Sequence, residues 1–316
     1  MATRTEAISP ETINPSQRSR SLGSLTIRRL FKQRNAIVGL TILTILLLIA
    51  VFSPQIAPYD PELVLIGIED VGKRESPCIH LLGCPEDQPQ HIMGIDGNFR
   101  DQFSRVIYGT RVSLFIGFST IGLAVIIGSL IGAVSGYLGG WADNVIMRFM
   151  DVILAFPSFL LAIAIITVLG RGLQNALYAI AVVNIPVFAR LMRASVLSLK
   201  EQEFVAASRA LGASPFRLLF ARILPNAAPT LIVQATLSIA SAILEAAALS
   251  FLGLGAQPPT PEWGTMLGSE RNQVFTSPHL VFFPGIAIMI TVLAFNLLGD
   301  GIRDALDPRL AQTTKS

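Results

Sequence analysis

At 316 residues, 52% hydrophobic and only 14% charged, with a mean hydropathy of +0.59, the chain is too apolar for a soluble globular domain. A net charge of +3 and a pI near 9.1 do not point to a nucleic-acid partner, because the basic residues are gathered in segments between apolar runs and do not cover a face. Composition therefore places the chain in a lipid bilayer, with no nucleic acid among its partners.

Residues 1–34 form a polar tail with Arg18, Arg20, Arg28, Arg29, Lys32 and Arg34 ahead of the first apolar run. Ala36 to Phe52 continue into Ser53-Pro54 without a small-residue cleavage site, which predicts an uncleaved first span over 35–53. A polar loop, 54–111, follows; from residue 53 to 111 the chain carries nine acidic residues against five basic ones. Further apolar runs occupy Val112–Val134, Val145–Leu169, Leu173–Met192, Ala227–Leu254 and Leu280–Leu298. About 20 residues cross a hydrocarbon core, so each is long enough, the third and fifth with tilt or extension into the interface. The expected fold is an all-α membrane protein of six transmembrane helices, five of them in a core over 112–300, followed by a tail at 301–316. Six spans put both termini on one side. The N-terminal tail, the Arg193–Arg222 segment and the tail with Arg303, Arg309 and Lys315 share that side, and the positive-inside rule makes it cytoplasmic in a multi-pass protein of the cell (inner) membrane.

Within the spans, Gly117, Gly122, Gly128, Gly132 and Gly136 give the second a stripe of small residues that lets helices pack closely in lipid. Pro157 and Pro186 are expected to kink the third and fourth. Few ionisable groups lie in the apolar runs. Asp151 and Arg190 sit close enough to span ends to reach the interface, whereas Glu245 lies deeper and either has a structural partner or belongs to a substrate pathway.

The long loop holds both cysteines. Cys78 and Cys84, on the oxidising side, can form a disulfide that pins a small loop. Cys78 and Cys84 with His80 and His91 could instead hold a soft metal, or the thiols could be free.

The remaining polar stretch, Ser198 to Pro225, is bounded like two short helices. Ser198 with Glu201 has the form of a capping box, Gly212 can close a helix in a left-handed turn, Ser214 can cap the next with Pro215 in its first turn, and Pro225 is expected to end it. Ala206, Ala207, Ala210 and Leu211 present a surface another protein could approach closely, with Arg209, Arg217 and Arg222 around it. The bland alternative is a solvated connector.

The spacing Ala206-Ala207-Ser208, then Gly212, then Leu224-Pro225 resembles the EAA loop of integral-membrane subunits of binding-protein-dependent ABC importers. The motif's leading glutamate falls on Ala206, with Glu203 one turn upstream, and its isoleucine on Arg222. The segments His91–Asp96, Arg100–Asp101, Ser104–Arg105, Tyr108–Leu114, Ser135–Tyr137 with Gly139–Trp141, Leu249–Gly255 and Asn296–Pro308 are similar to dipeptide, oligopeptide and nickel permease subunits of the C-component type. The resemblance implies a type I ABC importer transmembrane domain whose loop 193–226 forms the helix that couples to the ATPase. The coupling residues it implies are Glu203, Ala206, Ala207, Ser208, Arg209, Gly212, Ser214, Pro215 and Pro225. It also implies a paralogous permease subunit as heterodimer partner, two cytoplasmic ATPase subunits, an extracytoplasmic binding protein, and peptides as cargo, with nickel or another small solute as the alternative. A secondary transporter or a non-transporting scaffold is the remaining reading.

No glycine-rich phosphate loop, nucleophile elbow or His-Glu-x-x-His pattern is present, so an enzyme is not expected and no cofactor or metal is assigned. Reporter fusions after Arg193 and at the C-terminus are expected to read cytoplasmic, and fusions near Pro85 and Trp263 extracytoplasmic; an extracytoplasmic signal from the Arg209 region would overturn the coupling assignment.

Overall fold

Long apolar runs bounded by Gly, Pro and polar residues fold as helices, because a helix satisfies its own backbone in hydrocarbon. A computed structural model describes residues 30–31 and 33–306; Arg18, Arg20, Arg28, Arg29, Lys32, Arg309 and Lys315 lie outside the described residues. The helices are α1 (Arg34–Val51), α2 (Gln102–Leu138), α3 (Gly140–Leu154), α4 (Ser158–Leu169), α5 (Leu173–Leu199), α6 (Glu203–Ala210), α7 (Pro215–Phe251), α8 (Trp263–Glu270) and α9 (His279–Leu306). Of these, α1, α2, α5, α7 and α9 are each long and apolar enough to cross a membrane. The pair α3 and α4 supplies a sixth span, bent by 90° at the break. Among the described residues the only β pairings are isolated bridges.

The bundle is organised around α2 and α5, which make its most extensive helix contact. Gly128, Gly132 and Gly136 supply the approach: a Cβ on Gly128 would lie 2.6 Å from the Ile185 carbonyl oxygen, and one on Gly132 would collide with the Ala189 carbonyl. Backbone meets backbone there, as expected where apolar burial in lipid gains little and small residues permit close packing. Gly117 packs instead on Ile243 of α7, while nothing lies within 4 Å of a Cβ on Gly122, so the stripe is not one surface. Helix α1 lies against α9, with Gly301 on Ala36, and α7 packs on α2, α5 and α9.

Several expected boundaries move. Helix α2 starts ten residues before Val112, because Asp101 caps it, its carboxylate accepting the Ser104 N–H at 2.7 Å. The third span is broken, with Pro157 at the N-cap of α4, whereas α5 runs through Pro186 unbroken. Helix α9 continues to Leu306, so 301–306 are helical and not tail. Pro225 does not end a helix. A single π turn over Leu219–Ile223, closed by the Leu224 N–H on the Leu219 carbonyl, shifts the hydrogen-bond register ahead of the proline and α7 continues to Phe251.

Residues 57–101 and 252–278 form a folded layer at one end of the bundle; residues 200–214 form a hairpin at the other. The layer is polar by sequence but closely knit. Buried Arg105 donates to the Pro61 carbonyl at 2.6 Å and the Pro259 carbonyl at 3.3 Å, and Asp96 pairs with Arg100 at 2.7 Å. Arg74 pairs with Glu270 of α8 at 2.7 Å. Trp263, fully buried, donates to the Val106 carbonyl at 3.1 Å, beside Gly109.

Adding one methyl separates the tight glycines from the open one. Gly132→Ala is expected to destabilise the fold in detergent by on the order of 1–3 kcal/mol from overpacking, read as a lower thermal unfolding midpoint. Gly122→Ala should leave it unchanged or slightly higher, since alanine is the better helix former.

Candidate functional site

The hairpin opens later than the capping-box spacing predicts. Ser198 lies inside α5, held there by Val196, which is fully buried against Gly136, and by Leu199; α6 starts at Glu203. The segment between transmembrane helices is therefore 200–214, shorter than 193–226. It closes as its residues dictate: the Gly212 N–H bonds the Arg209 carbonyl at 3.0 Å and the Ala213 N–H bonds that of Ser208 at 3.1 Å, the paired bonds of a glycine-terminated helix. Gly212 has φ +82° with open space around it, so backbone conformation and not crowding calls for glycine. Ser214 caps the following turn, its hydroxyl accepting the Arg217 N–H at 3.4 Å, with Pro215 at the first helical position.

Only Val205 of α6 is buried. Glu203, Ala206, Ala207, Arg209 and Ala210 are exposed, Ser208 is half-buried and tied back to the Phe204 carbonyl at 2.8 Å, and Leu211 is 89% exposed. Beyond the turn, Phe216 is 71% exposed and its ring lies 4.4 Å from that of Phe220. Sequence reasoning missed these two phenylalanines, although their i, i+4 spacing ahead of an apolar run was the available signal. Pro225 lies ten residues along α7 from Pro215, about 15 Å at helical rise, and is not part of this surface. The result is an apolar patch of small and aromatic side chains rimmed by Arg209, Arg217 and Arg222, the composition of a protein-binding surface.

A charge cluster braces the hairpin's root. Buried Asp143, in the first turn of α3, receives both Nε and Nη2 of Arg193 of α5, at 2.5 and 2.6 Å, and the Ser135 hydroxyl of α2 at 2.5 Å. Lys200 reaches the Gly136 carbonyl at 3.4 Å. Asp151 and Arg190, expected to reach the interface, pair with each other at 2.5 Å. On α7, Glu245 is half-buried, with the side chains of Ser158 and Asn184 beside it.

At the opposite end Cys78 and Cys84 are joined, their Cα atoms 5.4 Å apart. The four residues of the alternative metal set do not converge: the His80 ring faces the Gln88 carbonyl at 2.8 Å, and His91 turns away between Asp101, 2.9 Å from Nδ1, and Glu69, 3.1 Å from Nε2.

Residues 124–312 match the family described as binding-protein-dependent transport system inner membrane component, and residues 21–74 match the N-terminal TM domain of oligopeptide transport permease C. The chain belongs to the binding-protein-dependent inner-membrane component family. It is 48% identical to a dipeptide transport system permease protein of Alkalihalophilus pseudofirmus, covering 90% of this chain and 88% of that one. It is 46% identical to a di/tripeptide transport system permease protein of Pseudomonas aeruginosa, over 88% and 89%, and 42% identical to a glutathione transport system permease protein of Pectobacterium atrosepticum, over 90% of each. A solved inward-facing methionine ABC transporter, MetNI, matches with a TM-score of 0.52 and 21% identity over 65% of this chain and 98% of the other, a likeness of fold.

In this inner-membrane component the layer carries the clearest pH-sensitive group. Burial alone lowers the His91 pKa, but the bonds to Asp101 and Glu69 outweigh it and raise it above the usual histidine value. Burial, then the bond to Glu69 at 2.8 Å, pushes the Tyr59 phenol up to about 12, so it remains a donor. A raised histidine contributes stability below its unfolded pKa, about 6.5, and loses it as pH rises through the higher folded value. Amide exchange over residues 57–101 should therefore quicken as pH rises through that window, after correction for intrinsic exchange, and His91→Gln should remove the step.

Proposed function

We propose that this chain is one membrane subunit of an ATP-driven importer that carries di- and oligopeptides delivered by an extracytoplasmic binding protein. The observation that carries the reading is the match, at 46–48% identity over nearly the full length of both chains, to permeases named for dipeptide and di/tripeptide transport. The glutathione permease relative keeps the cargo in the same chemical class, since glutathione is itself a tripeptide.

In this reading the hairpin side faces the cytoplasm, as do both termini, and the layer faces out. The partners are a paralogous permease subunit, two ATPase subunits that perform the hydrolysis, and the binding protein, which docks on residues 53–111 and 256–279. The patch of Ala206, Ala207, Ala210, Leu211 and Phe216 is the ATPase contact, with Glu203, Ser208 and Arg209 on the same short helix and Gly212, Ser214 and Pro215 setting its angle. Closure of the ATPases pushes α6. Because α7 runs from Pro215 to Phe251 without a break, about 55 Å at helical rise, displacement at the hairpin reaches the far side through one element. Alternating access of the route between the two permease subunits follows from that lever, and the binding protein supplies substrate selection.

Gly212→Val places a β-branched residue at φ +82°, a strain of roughly 1–2 kcal/mol. Reconstituted with all partners, the variant should insert normally while ATPase association, uptake and ligand-stimulated hydrolysis fall together, by roughly 5–30-fold. Normal stimulated hydrolysis in the variant would reduce the hairpin to a connector.

A further inference from the structure

The break in the third span lies at mid-depth. Asn184 is near the centre of α5, and its side chain and that of Ser158, the first residue of α4, both lie beside Glu245 of α7. Ala155, Phe156, Pro157 and Ser158 are all exposed on the surface of this chain. Non-helical backbone at that depth cannot face hydrocarbon; it is tolerated against protein or where it lines water. The polar character continues along α7, where Gln234, Ser238, Ser241 and Glu245, spaced by four, three and four, fall on one helical face. Gln234 donates to Ser238 at 3.2 Å and, with Thr230 and Arg303, borders a cavity of about 480 Å³ toward the hairpin. A polar track thus leads from that cavity to the break.

The end of the track has a definite chemistry. The charged groups nearest the break, Asp151 and Arg190, neutralise each other, and Asp143 is held by Arg193, but Glu245 has no ion-pair partner among the described residues. Asn184 donates one amide N–H to the Ile180 carbonyl at 2.8 Å, which orients its side chain beside Glu245. The Asn184 amide and the Ser158 hydroxyl donate toward the Glu245 carboxylate, which stands between three helices without a counter-charge, a centre that attracts an ammonium group and repels a carboxylate. An intramembrane carboxylate without a cationic partner is costly to keep, and such groups mark substrate and ion pathways.

We propose that the break at 155–158 and Glu245 form a water-filled station on the translocation route that receives the amino-terminal ammonium of the peptide, with Asn184 and Ser158 orienting the carboxylate. This rests on the importer reading above.

The test uses the assembled importer in liposomes, with Ala155→Cys introduced into a Cys78→Ser/Cys84→Ser background. Two methanethiosulfonate reagents of similar size, one carrying a trimethylammonium and one a sulfonate, probe the site. Both should modify the introduced thiol in at least one nucleotide state, and, with each rate divided by that reagent's rate on a small free thiol in solution, the cationic reagent should be on the order of 10-fold faster through local enrichment. That ratio should fall toward one in Glu245→Gln, and peptide delivered by the binding protein should slow modification. No modification in any nucleotide state would show that the break faces protein or lipid, and an unchanged ratio in Glu245→Gln would show that the carboxylate does not select cations; either result overturns the station. Peptide-stimulated ATP hydrolysis by the same preparation separates the two claims: if hydrolysis persists while labelling fails, the station falls and the importer reading stands, whereas its absence from the unmodified importer sinks the importer reading itself.

Discussion

In hydrocarbon an amide or carbonyl without a partner costs several kcal/mol, and much of this structure follows from how the chain meets or relocates that requirement. Most spans meet it by unbroken helices. Where a proline removes a donor at Pro225, a π turn rearranges the ladder and the helix survives. Where Pro157 stops a helix outright, the break is set beside Glu245 and Asn184 and not buried among aliphatic side chains. The close approach of α2 to α5 obeys the same constraint from another direction: with little to gain from burying apolar surface, the two helices are held by contact along glycine positions, and at one end Asp143 of α3 ties Arg193 of α5 to Ser135 of α2.

What could be read from the sequence was what is encoded locally. Spans of twenty apolar residues, the left-handed glycine at 212 and the cap at Ser214 all depend on side chains within a few positions of one another. The Ser198–Glu201 box misled because a tertiary contact, Val196 on Gly136, keeps that stretch inside α5. Pro225 misled because a one-residue shift in hydrogen-bond register has no compositional mark.

The layer and the charge cluster were hidden for a different reason. Residues 53–111 look like solvated loop by composition, yet Arg105, Asp96, Asp101 and His91 are buried in pairs. Arg74 finds Glu270 across 196 positions and Arg193 finds Asp143 across 50, separations at which a single sequence gives no signal. Polarity alone cannot distinguish a charge facing water from one enclosed with its counter-charge, and in this chain the second case fixes where α2 begins.

The contact between Glu245, Asn184 and Ser158 also bears on how the protein is made. Chains emerge and enter the bilayer from the N-terminus, so α4 and α5 are in place before α7 follows. The amide and hydroxyl donors that flank Glu245 are thus assembled ahead of it, and the carboxylate enters a membrane where its polar neighbours already stand. Reversing that order, as in a circular permutant that begins with α7, would send an unaccompanied acid into lipid. The order of the helices along the gene is therefore itself part of what allows an ionisable group to reside at mid-depth in this bundle.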